Sequence, residues 1–194
     1  MDMTIEQVSG DALERYARIS IAFTVESVLQ PELLNGGLGG LRLCEEKVAE
    51  PYVKDYDALE EEGPARWPEV FGDAPWAAFL AVSGEHDLGG AAVVIGGPGA
   101  TELERRDDLA VLWDIRVHPD WRGRGVGTAL FRNVAAWARE RGCTLLKVET
   151  QNINVPACRF YAQQGCTLGG ISRHGYTGCP VVAHETMLLW YLDL

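Results

Sequence analysis

Apolar positions along this chain fall into short blocks whose period switches between two and about 3.6 residues. Met3–Val8 reads as a strand and Gly10–Ser20 as a helix with Leu13, Tyr16, Ala17 and Ile19 apolar. Trp76–Val82 and Gly90–Ile95 read as a hairpin pair around Ser83–Leu88, and Leu109–Val117 as the next strand. Val126, Leu130, Val134, Trp137 and Ala138 then recur at helical spacing, and Gly142 stands where a helix C-terminus favours glycine. Thr144–Thr150 is a further strand. Asn154 can cap a further helix in which Pro156 suits the first turn, and Gly165 closes it. Cys166–Ile171 and His184–Leu192 read as final strands, joined by a loop through Gly175 and Gly178-Cys-Pro180. Residues 22–70 carry no clear period. Their Gly-rich break (Asn35–Gly40), acidic run (Glu60–Glu62) and proline-bearing stretch (Gly63–Pro68) predict short strands and loops. The sum is an α/β chain, a strand–helix–strand–helix–strand core preceded by an extended hairpin.

One junction in this pattern carries chemistry. The strand ending at Val117 runs through His118-Pro-Asp-Trp-Arg-Gly-Arg-Gly125 straight into the helix that begins near Val126. First-turn N–H groups are unpaired and the helix dipole adds positive potential, so such a junction attracts anions. Gly125 and Gly127 allow close backbone approach, and Arg122 and Arg124 add charge. The junction therefore reads as a pyrophosphate cradle. A nucleotide P-loop is excluded, because no Gly-Lys pair occurs in the chain. A dinucleotide loop fails at its third glycine, where Thr128 stands. The plainer alternative is a basic turn ahead of a surface helix.

At 194 residues the chain is the size of one ordinary domain, and 47% hydrophobic content suits a soluble globular protein. No run of eighteen apolar residues predicts a membrane span, and Met1–Glu6 lacks the basic and apolar regions of a secretory signal. Five cysteines without a Cys-x-x-Cys pair read as reduced, mostly buried thiols, which predicts a cytoplasmic protein. The four histidines do not join them at ligand spacing, so no metal is expected. The net charge of −11 is uneven. Residues 1–110 hold 22 acids against 8 bases, whereas residues 111–141 hold 6 arginines against 3 acids. An anionic ligand on the basic segment and a cationic one facing the rest suit that field, although solubility alone explains many of the acids. Nucleic acid is disfavoured as a partner because the summed field repels phosphates.

A second motif follows: the apolar strand Leu145–Thr150, then Asn154, Ala157, Phe160-Tyr161 and Gly165. Together, Arg122-x-x-Gly125-x-Gly127 and Asn154-x-x-Ala157-x-x-Phe160-Tyr161 resemble the GNAT N-acetyltransferase superfamily over roughly Leu109–Leu194. The usual Gly-Phe after the helix is Gly165-Cys166 here. The resemblance implies a GNAT acyl-CoA N-acyltransferase fold, a mixed central sheet whose fourth and fifth strands splay apart, flanked by helices. One such domain would span 1–194, with 1–108 supplying N-terminal strands, a helix and a substrate-facing variable segment, and 109–194 the acetyl-CoA-binding core. A closer resemblance, to streptothricin acetyltransferases, rests on Trp113-Asp-Ile-Arg-Val-His-Pro119, Glu149-Thr-Gln-Asn-Ile-Asn154, Ala157-Cys158, Phe160-Tyr-Ala162 and Glu185…Trp190-Tyr191. The inserted glycines of Asn35–Gly40 depart from that pattern.

This resemblance implies acetyl-CoA as co-substrate and a small cationic amine as acceptor, as in antibiotic resistance by streptothricin acetylation. Cofactor contacts would fall on Ile115 and Val117, on Arg122, Gly123, Arg124, Gly125, Val126, Gly127 and Thr128, and on Asn154, Ala157 and Tyr161. A backbone N–H at Val117 would meet the oxyanion, and Tyr161 would act as general acid, since its phenol keeps its proton at neutral pH. The alternative for Tyr161 is a core aromatic, and for Asn154 a simple cap. An ammonium must lose a proton before it attacks, so a base is needed. Alternation puts Trp113, Ile115 and Val117 on one face and Leu112, Asp114 and Arg116 on the other, making Asp114 a partly buried candidate whose proton affinity desolvation would raise. Glu149 and unassisted water are the other candidates, and Asp114 could instead be a structural partner of Arg116. Tyr52, Tyr56, Trp67, Glu149 and Glu185 are candidate substrate-wall residues, with Asp55 and Asp57 beside them, because acids and aromatics suit a polycation. Two further readings stay open: a protein lysine or N-terminal acetyltransferase, and a non-catalytic acyl-CoA sensor. Relatives are often homodimers.

Overall fold

In the computed structural model, which describes residues 2–58, 63–96 and 106–194, the periodic blocks become strands and helices close to their expected bounds. In chain order they are β1 (Thr4–Val8), α1 (Ala12–Ala17), β2 (Phe23–Leu33), β3 (Leu41–Lys54), α2 (Trp67–Phe71), β4 (Trp76–Ser83), β5 (His86–Ile95), β6 (Leu109–Val117), α3 (Val126–Glu140), β7 (Leu145–Gln151), α4 (Val155–Gln163), β8 (Thr167–Ser172) and β9 (Met187–Asp193). The acidic run Glu60–Glu62 lies outside the described residues. The chain divides into two units: Met1–Ile21, Asp55–Val148 and Leu192–Leu194 form one, Ala22–Lys54 and Glu149–Tyr191 the other.

The first unit is built on strands in the order β1-β4-β5-β6-β7. All neighbours are antiparallel except β6 and β7, which run parallel and make the sheet mixed. The β4–β5 hairpin closes with Ser83 opposite His86. Helix α3 lays Val126, Leu130, Phe131, Val134, Ala135, Trp137 and Ala138 into the interior. Leu130 and Val134 are fully buried, each stabilising the fold by about 1.5–3 kcal/mol. A second core, with Leu13, Tyr16 and Ile19 of the α1 region, Trp67 and Phe71 of α2, and Ala78, Leu80, Ala92, Val94 and Val111 of the sheet, packs separately. Gly90 makes this possible: a Cβ there would meet the Tyr16 ring at 2.3 Å, so only glycine lets α1 approach so closely.

One register shift changes which residues share a face. Between Ala92 and Val93 the β5–β6 pairing slips, so that Asp114 faces Ala92 while Leu112 faces Val93. Trp113 is the extra residue of a bulge. Simple alternation is therefore overturned. Leu112 and Asp114 oppose adjacent residues of β5 and lie on opposite faces. Trp113 packs with Phe71, ring centroids 5.2 Å apart, against the α1–α2 core that contains Ala92.

The second unit corrects the expectation of short strands. Strands β2 and β3 are 11 and 14 residues long and form an antiparallel ribbon from Phe23 opposite Lys54 to Leu33 opposite Leu41. Their pattern was unreadable because most positions are exposed, so no face is marked by burial. The proline in β3 sits at an irregularity: the register jumps from Tyr52 to Lys47 while β2 advances only from Val25 to Ser27, and Pro51 falls in the gap. Helix α4 starts as expected, with Asn154 Oδ1 accepting from the Ala157 N–H at 3.2 Å and a proline in the first turn. Strand β8 pairs antiparallel with β9, which begins three residues later than expected and leaves Glu185 on the loop before it.

Candidate active site

The cradle lies in the first unit, where β6 ends. A 3₁₀ turn, Pro119–Trp121, follows His118, and Gly125 forms the N-cap of α3 in a left-handed conformation, φ 86°. No side chain caps that terminus, in contrast to Asn154 at the start of α4. An added Cβ on Gly123 or Gly125 would meet nothing within 4 Å, so the space above the loop is open. The Arg124 guanidinium stacks 5.0 Å from the Trp121 ring centroid, and Arg122 Nε donates to the Val117 carbonyl at 3.0 Å. A helix N-terminus with glycine entry and two flanking arginines fits a diphosphate. Beside it lies a hollow of about 340 Å³ lined in part by His86, His118, Trp121 and Arg124.

On β6 the parallel ladder with β7 stops at Leu112 opposite Val148, and Asp114–Val117 continue paired with β5. Asp114 is drawn into a buried network, with Arg116 as its structural partner. Its Oδ1 accepts from Tyr16 Oη at 2.6 Å and Arg116 Nε at 3.0 Å, and its Oδ2 from Arg116 Nη2 at 2.6 Å. Arg116 also donates to both oxygens of Asp57, at 2.8 and 3.1 Å, and to the Ile19 carbonyl at 3.1 Å. Burial works against the Arg116 charge, but the Asp114 carboxylate outweighs it and raises the guanidinium above its ordinary value. Burial first, and then Asp114, hold the Tyr16 phenol well above its usual range, so it remains a donor.

In the second unit Glu149 extends from β7 to the surface, where its Oε1 accepts from the Tyr176 hydroxyl at 2.8 Å. That hydroxyl in turn accepts from Gln151 Nε2 at 2.8 Å. Tyr161 of α4 is buried, its ring 5.4 Å from that of Phe160. Glu185 is buried on its loop, with Oε1 accepting from Lys54 Nζ at 2.6 Å. Tyr52, two residues before Lys54, has its phenol pushed up by burial and then by the Glu185 charge. Asn152, which no sequence motif singled out as functional, ties its own segment to two others of the unit. Its backbone N–H and carbonyl engage Thr186 O and Leu29 N–H at 2.9 Å, its Oδ1 accepts from Thr186 N–H at 2.8 Å, and its Nδ2 donates to Leu29 O at 3.1 Å. The Asn-x-Asn spacing after a strand was its one visible signal.

Within the first unit the fold gathers Ile115, Val117, Arg122, Gly123, Arg124, Gly125, Val126, Gly127 and Thr128 around one strand-to-helix junction. Within the second it sets Asn154, Ala157 and Tyr161 on α4, and Tyr52 near Glu185. Tyr56 is half-buried in the first unit. Trp67 is a correction: at 1% exposure it is a core residue, edge-on to Tyr16 at 4.9 Å, and cannot line a substrate wall. Among the described residues no cluster of three or more His, Cys, Asp or Glu side chains could hold a metal, all five cysteines are free, and no helix is long and apolar enough to cross a membrane.

The model of the acetyltransferase (GNAT) family matches residues 43–166. The chain belongs to that family. It is 32% identical over 147 residues to streptothricin acetyltransferase A of Bacillus subtilis, covering 76% of each protein. To the streptothricin acetyltransferase of Streptomyces lavendulae it is 31% identical over 172 residues, 87% of this chain and 83% of that one. A Bacillus anthracis structure assigned as a streptothricin acetyltransferase, in complex with acetyl coenzyme A, superposes with a TM-score of 0.79 at 25% identity, covering all of both chains. This GNAT-family enzyme is thus an N-acetyltransferase that uses acetyl-CoA, with the mixed sheet and flanking helices of the family.

Proposed function

We propose that the enzyme moves the acetyl group of acetyl-CoA to a primary amine of a small, cationic, streptothricin-like acceptor. The observation that carries this reading is similarity to two streptothricin acetyltransferases across three quarters or more of the chain. The thioester supplies the activated acetyl group; the chain's own residues bind, orient and move protons. Uncapped amides at the start of α3, with Arg122 and Arg124, hold the diphosphate. The Val117 N–H is assigned the oxyanion, and Tyr161 the proton delivered to the departing thiolate.

The base is assigned to Glu149, directly or through water. Support comes from what else holds each carboxylate. Asp114 has both oxygens engaged by Arg116 and Tyr16 inside the first unit, whereas Glu149 reaches solvent with one hydroxyl on Oε1. Asp114 is accordingly given a structural role, pinning Arg116 and through it Asp57. Tyr52 and Tyr56 are retained as acceptor-facing groups, while Glu185, as deeply buried as Trp67, is given the structural role of pairing Lys54. The test is CoA thiol release across streptothricin, lysine, polyamines, aminoglycosides and basic peptides. Turnover with streptothricin or a small polyamine is expected. Turnover confined to peptides would transfer the assignment to protein acetylation.

A further inference from the structure

Tyr176 joins two side chains of one strand. Glu149 and Gln151 alternate with Thr150 on β7 and so share a face, and the Tyr176 hydroxyl lies 2.8 Å from both Glu149 Oε1 and Gln151 Nε2. A carboxylate only accepts, so the phenol must give its single proton to Glu149. The amide must then supply an N–H to the phenol oxygen. The groups form a one-way chain, Gln151 to Tyr176 to Glu149, that ends on the carboxylate.

The tyrosine is itself held. It lies on the connection between β8 and β9, which is stapled from within. The Thr177 N–H and hydroxyl donate to the His174 carbonyl at 3.3 and 3.0 Å, and the Cys179 N–H donates to the Tyr176 carbonyl at 2.9 Å. At the preceding residue the chain passes close to β9: a Cβ on Gly175 would come within 2.9 Å of the Met187 side chain. A half-buried aromatic so placed has little freedom, whereas an exposed glutamate by itself samples many rotamers. The hydrogen bond therefore lends the order of the connection to a carboxylate at the surface.

That order bears on proton transfer, which needs the receiving oxygen within reach of the amine or of one intervening water. Tyr176 takes Oε1 and leaves Oε2 for the proton. The acceptor's N–H bond breaks, an O–H bond forms at Oε2 directly or across that water, and the amine keeps the electron pair with which it attacks the thioester.

We propose that Tyr176 is a positioning residue for amine deprotonation, holding Glu149 by Oε1 so that Oε2 receives the proton, with Gln151 setting the direction of the phenol's hydrogen bond. This rests on the assignment of Glu149 as the base. A hydrogen bond that served only to anchor the β8–β9 connection would act on stability and leave turnover alone.

The test follows CoA release by the full chain with streptothricin and 1,5-diaminopentane as acceptors, for Glu149→Gln, Tyr176→Phe, Gln151→Met and their pairwise combinations. Tyr176→Phe keeps the ring and removes only the hydroxyl. It should lower kcat about tenfold, the scale of a charge-assisted hydrogen bond, with KM for both substrates within about threefold. Glu149→Gln should lower kcat by about 10²-fold or more. Coupling decides the matter: in the Glu149→Gln background Tyr176→Phe should change kcat by less than about twofold, because no carboxylate remains to be positioned. Gln151→Met, which leaves the tyrosine whole, should lower kcat about threefold alone and not at all in the Tyr176→Phe background. Wild-type kcat in Gln151→Met would remove the amide from the chain. Wild-type kcat in Tyr176→Phe beside an impaired Glu149→Gln overturns the proposal and leaves the base assignment standing. An equal loss from Tyr176→Phe with and without the Glu149 carboxylate overturns it too, since the tyrosine would then act by another route. Wild-type turnover in Glu149→Gln would instead overturn the base assignment, and this inference with it. If the wild type acetylates neither acceptor, the functional reading itself fails.

Discussion

Arg116 grips Asp114 through two nitrogens, Nη2 2.6 Å from Oδ2 and Nε 3.0 Å from Oδ1, with both side chains below 10% exposure. Charges so deeply placed are tolerated because each is matched, and removing one strands the other. Asp114→Asn should therefore lower unfolding stability by about 3–5 kcal/mol, the cost of breaking a buried pair. Denaturant titration measures it. Turnover per folded molecule should stay within a factor of a few. A loss of a hundredfold or more in kcat with intact stability would restore Asp114 as the base.

Much of the molecule was legible in its pattern, and the failures have physical causes. The stretch Leu109–Val117 was readable because it opens on an apolar run buried on both faces, and α3 because its 3.6-residue period follows burial on one face. The strand-to-helix junction after Val117 was readable because its glycines and arginines are local features of the sequence. What a period cannot report is a bulge. The extra residue at Trp113 moved Asp114 onto the face of Tyr16, and a base candidate became half of an ion pair. Trp67 failed for another reason: an aromatic beside acids reads equally as a wall or as core, and its burial against Tyr16 depends on residues 51 positions earlier.

The cradle's charge is testable by reversal. Arg124 stacks on Trp121 and flanks the start of α3, where a negative side chain would oppose both the helix dipole and a diphosphate. Arg124→Glu should weaken acetyl-CoA binding by about 10- to 100-fold, the range for losing a charge-assisted contact. Calorimetry reads this directly. Unchanged affinity would remove this loop from the cofactor site.

Tyr161 is buried on α4, so removing its hydroxyl leaves the ring's packing intact. As general acid it should matter to turnover more than to binding. Tyr161→Phe is expected to lower kcat by about 10²-fold or more with acetyl-CoA affinity within about threefold. Stopped-flow CoA release and calorimetry separate the two effects. Equal turnover in the two proteins would make the residue a core aromatic.

The thiols give a prediction about pH. Burial pushes the Cys158 thiol up to about 12 and Cys166 up to about 11, while Cys179 is exposed. Iodoacetamide attacks the thiolate, so near pH 8 Cys179 should be labelled first and Cys158 and Cys166 only on unfolding, as peptide mass mapping would show. For stability, a folded value above the unfolded one means that the native state holds its proton more tightly. The contribution is therefore present at neutral pH and lost as pH climbs from about 9, the free thiol's range, toward about 12. Rapid labelling of native Cys158 at pH 8 would contradict its burial.

Asn152 tests how the second unit is tied together. Its side chain satisfies the Thr186 N–H and the Leu29 carbonyl, while its backbone pairs with the same two residues. Asn152→Ala would leave a buried donor and a carbonyl unmatched, at about 1–3 kcal/mol for each group that water cannot reach. Asn152→Asp would keep the acceptor toward Thr186 but set an ionised oxygen against the Leu29 carbonyl. It should therefore destabilise more strongly at pH 8 than at pH 4, where a protonated carboxyl can still donate. Alanine alone would not distinguish a lost hydrogen bond from a small cavity. A pH-dependent gap between Asp and Ala variants in thermal unfolding identifies the hydrogen bond, and a gap independent of pH would show that volume, not polarity, fixes Asn at this position.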